Sequence, residues 1–154
     1  FQQMLELIDA PEIDPDDPFS QLVGLDKPVA TPNDPAVLRL LPDAYPDDAE
    51  STADFRRYTD SDLRGAKAAH AQAALDMLAN WHGAVLMDAA QARGWMLALN
   101  DLRLVLGTRL GVGEADESDD DSDDDDDSAE DDPSRHLYNY LTYLQGTLID
   151  AIAN

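Results

Sequence analysis

Four polar residues interrupt an otherwise apolar run: Asn100, Asp101, Arg103 and Arg109, within "WMLALNDLRLVLGTRLGVG" from Trp95 to Gly113. A carboxylate, an amide and two guanidinium groups could together hold an anion or polarise a carbonyl. Their spacing argues against convergence. At 100° per residue Asn100 and Arg103 share one side of a helix, and Asp101 faces away from both. Arg103 stands between Leu102 and Leu104, so its stem must cross apolar surface while its guanidinium seeks a carboxylate or a carbonyl. Arg109 falls in the last turn, where the helix dipole favours a cation. Gly107, Gly111 and Gly113 end this helix instead of opening one and lack a following Lys-Ser/Thr, so their amides are not placed to cradle phosphate. Asn100, Asp101, Arg103, Gly107, Arg109 and Gly111 therefore read as one structural motif, a packed helix with polar anchors.

Other chemistries fare no better. His70, His82 and His136 fall on three separate elements with no HxxxH pair, which is not zinc-ligand spacing. The chain has no cysteine, which removes thiolate nucleophiles, disulfides and thiol redox sensing from these residues. The acidic run from Glu114 to Asp132 lacks the alternating ligands, turn glycine and closing glutamate of an EF-hand. No GxSxG elbow is present, and no serine has an evident histidine partner. The expectation is a protein without catalytic residues, metal or cofactor.

Charge narrows the partners. The 154 residues carry 33 acidic and 10 basic side chains, a formal net of -23. A phosphate backbone repels such a surface, so direct nucleic-acid binding is not expected. The one concentration of cations is Arg56, Arg57, Arg64 and Lys67. Arg56, Arg57 and Arg64, with the acidic run, are the expected contacts for a protein partner. No apolar run approaches the ~20 residues that cross a bilayer, and a cytoplasmic location is the default expectation. Oligomeric state is open.

The elements that must position these residues are helical. One domain is expected over 1–154, starting with the end of a truncated helix at 1–9 and a proline-rich loop at 10–34. A helical core follows at 35–112, then a disordered acidic linker at 113–133 and a C-terminal helix at 134–153. Within the core, Asp34 and Pro35 start a short helix that Pro42 stops. A further turn is expected at Ala53–Tyr58. Thr59 is expected to cap a long alanine-rich helix, and Ser134 the last one. Asp88 caps the helix over Ala89–Leu110, whose broad apolar surface places it at the centre. Tyr138, Tyr140 and Tyr143 read as core aromatics, with partial exposure and self-association as the alternative. The fold class is mainly α: an irregular bundle of four to five helices, with one short strand pair near Val85–Met87.

Several stretches carry a resemblance: "LRLLPDAYPDD", "FRRYTDSDLRGAK", "WMLALNDLRLVLGTRLG", the acidic linker, and "YNYLTYLQGTLIDAI". Together, over Pro35–Ile152, they resemble an actinobacterial domain-of-unknown-function family. Its members are often encoded beside the Clp adaptor ClpS, and some are oxidative-stress transcriptional regulators of the AosR type. The resemblance implies a regulator that contacts an RNA polymerase sigma factor, with a cysteine pair that senses oxidant. This chain has no cysteine, so that switch cannot operate within it. Docking needs a surface and not a thiol, and could persist. Gene neighbourhood in the family implies the alternative, an accessory factor of Clp-dependent proteolysis; a helical domain of uncharacterised function is the plainest reading.

Overall fold

Five helices make up the regular structure of the described residues, 1–9, 31–112 and 132–153, in a computed structural model. They are α1 (Gln2–Asp9), α2 (Pro35–Leu40), α3 (Ala49–Ala79), α4 (Ala89–Arg109) and α5 (Pro133–Ala153). The proline-rich segment and the acidic segment expected between them lie outside the described residues.

The central position of α4 follows from its broad apolar surface. It packs against α2, α3 and α5, while α1 packs on α3. Met4 and Ile8 of α1, Val37, Leu40 and Leu41 at α2, and Ala71 of α3 form one buried cluster. Leu102, Leu104 and Val105 of α4 pack onto it. Burial of side chains as large as Met4, Ile8 and Leu41 contributes about 1.5–3 kcal/mol each. Elsewhere small residues set the spacing: Ala71, Ala74 and Ala98 are fully enclosed, and Gly94 of α4 sits opposite His70 of α3.

The helix starts obey local chemistry. The Asp34 carboxylate accepts from the Ala36 amide at 2.8 Å, with Pro35 in the first helical position. Asp88 forms a full capping box: its carboxylate accepts from the Gln91 amide, and the Gln91 side chain accepts from the Asp88 amide. That arrangement satisfies two orphan donors reciprocally.

Several expectations need correction. No strand occurs among the described residues. Val85–Met87 lie in a non-helical connection, with Leu86 98% exposed. An extended segment needs a hydrogen-bonding neighbour to become a strand, and none pairs with it. Thr59 caps nothing. The expected turn and the alanine-rich helix are one 31-residue helix capped by Asp48, whose carboxylate accepts from the Ser51 amide. The Thr59 hydroxyl donates to the Phe55 carbonyl one turn back. The last helix is capped by Asp132, whose carboxylate accepts from the Ser134 amide, while Pro133 occupies the first turn. Finally, α5 packs chiefly on α4 among the described helices. Leu141 and Gln145 are buried, but Leu137, Tyr140, Tyr143 and Ile152 are exposed. One facing helix covers only part of a helix's circumference.

Candidate functional site

The polar residues of α4 do not meet one another. Each reaches a different neighbour. Asp101 is buried and accepts from Lys67 Nζ of α3 at 2.7 Å. Arg109 Nη2 donates to Asp34 Oδ2 at 2.6 Å, tying the end of α4 to the cap of α2. The Arg109 hydrogen bond, with the amides of Ala36 and Val37, holds the Asp34 carboxyl below its ordinary value, although partial burial works against the shift. Arg103 turns to α5. Its Nε donates to Thr142 Oγ1 at 3.0 Å, its Nη1 donates to Gln145 Oε1, and its guanidinium carbon lies 5.3 Å from the Tyr138 ring centroid. The Gln145 side-chain amide oxygen is the expected carbonyl partner, and Thr142 and Tyr138 add a hydroxyl and an aromatic face. Asn100 is half-buried and makes no side-chain hydrogen bond among the described residues.

The glycines serve geometry. Gly111 has φ 66°. Its amide donates to the Thr108 carbonyl and the Val112 amide donates to the Gly107 carbonyl, the Schellman closure of a helix end. A Cβ on Gly107 would stand 3.2 Å from the Tyr138 ring, so the absent side chain lets α5 approach α4 there.

The arginines of α3 also act across elements. Arg56 is only 4% exposed. It pairs with Asp43 at 2.8 Å, with Asp60 one turn on, and donates to the Leu41 carbonyl at the end of α2. Arg64 pairs with the other Asp60 oxygen and donates to the Ile8 carbonyl in the last turn of α1 at 2.7 Å. Two helix ends that lack a cation of their own beyond Arg39 thus receive one from α3. A guanidinium is suited to this, because it satisfies orphan carbonyls and opposes the negative end of the dipole together. Of the three expected contact residues, Arg56 and Arg64 therefore face inward, and Arg57 stands at the surface with Asp54 at 3.7 Å. Sequence reasoning missed Asp60. The repeat Arg56-Asp60-Arg64 at four-residue intervals was its signal, since i,i+4 neighbours share a helix face.

An open groove of about 780 Å³ runs between α2 and the facing parts of α4 and α5, past Leu38, Arg39, Pro42, Leu104, Val112 and Tyr138. Its titratable carboxylate, Asp43, is the Arg56 partner. Among the described residues no three of His, Asp and Glu gather as metal ligands. The arrangement is a set of interhelical ties around α4.

A family model for a domain of unknown function, DUF2017, matches residues 1–152. The chain belongs to that family. Similar proteins include the oxidative stress regulator AosR of Mycobacterium bovis, 33% identical over 113 residues, covering 64% of this chain and 52% of the relative. AosR of Mycobacterium tuberculosis gives the same figures. A putative oxidative stress regulator AosR of Mycobacterium leprae is 36% identical over 94 residues, or 53% of this chain and 43% of the relative. The chain thus spans about half the length of the curated relatives it matches. No solved structure matches it.

Exposed apolar and aromatic side chains of this DUF2017 chain lie outside the ties. Tyr143 is 68% exposed on the outer side of α5, with Tyr140 beside it and Leu137, Ile149 and Ile152 along the same helix. No helix among the described residues is long and apolar enough to cross a membrane.

Proposed function

We propose that this DUF2017 chain is a non-enzymatic regulatory module that acts by docking on a protein of the transcription machinery, a sigma factor or another RNA polymerase component. The observation that carries the reading is the outward face of α5. This helix is held to α4 by Arg103 and Leu141, yet it presents Tyr140 and Tyr143 to solvent. Exposed tyrosines on a rigid helix supply contact area at small conformational cost, and such residues dominate protein interfaces. The names of the mycobacterial relatives support the regulatory role. The absence of cysteine means that an oxidant signal has no thiol to act on within these residues. Of the arginines expected to meet a partner, Arg57 of α3 is the one that stands at the surface.

The test is direct binding of the purified chain to polymerase core and to each sigma factor from its own cells. We expect one of them to bind, and Tyr140→Asp/Tyr143→Asp to weaken that binding at least tenfold with an unchanged melting temperature. Failure of every polymerase component to bind would refute the reading.

A further inference from the structure

We propose that the outer side of the first half of α3 is a second docking surface, and that its occupant is an arginine-rich segment of a protein partner. Phe55, Tyr58, Asp54 and Asp62 fall together at 100° per residue, opposite the inward stripe of Arg56, Asp60 and Arg64. Tyr58 is 72% exposed, and Tyr45 and Phe55 are exposed too. Tyr45 joins this face from the preceding loop, its ring edge-on to Phe55 with centroids 6.2 Å apart. Its carbonyl accepts from Thr52 Oγ1 at 2.7 Å and from the Asp48 amide at 3.0 Å, which fixes the backbone that carries the ring.

Both the apolar and the charged features of this face call for a guanidinium. Asp54 and Asp62 share the side of the rings, and Asp47 and Glu50 near the start of the same helix are exposed too, so an anionic occupant is repelled and a purely apolar one would strip water from carboxylates without replacing it. Arg57 displays the chemistry within the chain. Its guanidinium carbon lies 4.9 Å from the Tyr58 centroid, its Nη2 donates to Tyr58 Oη at 2.8 Å, and Asp54 is 3.7 Å away. Arg57 covers one face of one ring. Tyr58, with Asp62 on the same side one turn on, offers an incoming arginine the same pairing of ring and carboxylate, and Tyr45 adds a second exposed ring. Lysine matches it less well, because its compact, strongly hydrated ammonium neither stacks nor forks.

The choice of a protein as occupant rests on the docking reading above; the surface itself is separate from the face of α5. The experiment uses the full chain and two synthetic peptides of equal charge, one alternating Arg and Ser, the other Lys and Ser, titrated by calorimetry at 150 mM salt. We expect the arginine peptide to bind about fivefold to tenfold more tightly, the scale of one or two cation–π contacts. Tyr45→Ala/Tyr58→Ala should abolish that preference, and Asp54→Asn/Asp62→Asn should weaken both peptides severalfold. These side chains are exposed, so thermal melts should match the parent. Equal affinity for the two peptides overturns the proposal, since it assigns the binding to diffuse attraction by the carboxylates of Glu114–Asp132. An arginine preference that survives loss of both tyrosines overturns it as well. Arginine-selective binding by a chain that ignores every polymerase component keeps this surface and removes the transcription reading.

Discussion

Replacing Arg56 by methionine tests whether the cations of α3 tie helices together. Taking one partner from a buried ion pair costs about 3–5 kcal/mol. Two features place this site at the lower end. Asp60 keeps Arg64 as a partner, and Asp43 is a quarter exposed and still accepts from the Thr31 hydroxyl. Against that, the Leu41 carbonyl loses its donor, and an unsatisfied buried acceptor costs about 1–3 kcal/mol. Methionine refills most of the stem volume and returns a fraction of the packing. The sum is about 3 kcal/mol, or roughly 10 °C in melting temperature for a domain of this size. Urea unfolding followed by far-UV circular dichroism measures it, provided the slope with denaturant stays constant. Arg57→Met is the control, and with its guanidinium at the surface it should cost less than about 0.5 kcal/mol. Arg56→Lys should fall between the two, because an ammonium keeps the charge but cannot bridge Asp43, Asp60 and the Leu41 carbonyl together. Equal stabilities for the Arg56 and Arg57 variants would refute the reasoning.

Further outcomes are expected at Leu99, at two glycines and at Arg109. Leu99 is buried on α4, and Leu99→Ala should cost about 2–5 kcal/mol in the same assay. Gly65 lies inside α3 with open space where a Cβ would go, so Gly65→Ala should stabilise by about 0.5–1 kcal/mol; Gly111→Ala, at positive φ, should destabilise by about 1 kcal/mol or more. The folded Asp34 carboxyl ionises below its ordinary value of 3.8. Its contribution is therefore complete above that pH and lost as pH falls through the lower folded value. Arg109→Met should remove part of the acid-induced loss of stability in that window, read by thermal melts from pH 5 to pH 2.

The sequence reveals much of this architecture where local chemistry decides it, and little where tertiary contacts do. Asp34-Pro35, Asp88 and the Gly111 terminus announce themselves because caps are made by residues a few positions apart. The anti-convergence of Asn100, Asp101 and Arg103 follows from helical angle alone, and the structure sends the last two to different helices. The start of α3 is hidden for a physical reason. Its inward stripe begins with Thr52, Arg56 and Asp60 and becomes apolar only at Ala71 and Ala74, so hydrophobic periodicity fades over the first half and Thr59 imitates a cap. Arg56 and Arg64 resemble surface cations for the same reason: their acceptors are the Leu41 and Ile8 carbonyls, 15 and 56 residues away. Val85–Met87 has the composition of a strand, but a strand needs a partner. The exposure of Tyr140 and Tyr143 depends on how many helices face α5, and helix count does not fix that.

The distribution of cations explains why the exterior is what it is. Arg56, Arg64, Lys67, Arg103 and Arg109 each join one helix to another, so a chain with few basic residues has placed them between its elements. What remains outside is net acidic, with Arg39, Arg57, Arg93 and Arg135 outnumbered and aromatic side chains among the carboxylates. Fold and docking should then respond differently to salt. Exposed charges, the half-open Arg109–Asp34 pair among them, are screened once ions crowd within about 10 Å, whereas the more buried pairs of Arg56 and Lys67 are screened much less. Raising salt from 0.05 to 0.5 M should leave the urea midpoint of the parent nearly fixed and slow association with a basic partner by an order of magnitude or more. A midpoint that falls with salt as steeply as the association rate would mean that the interhelical pairs are solvated surface contacts, and the account of α4 as a helix tied on three sides would fail with them.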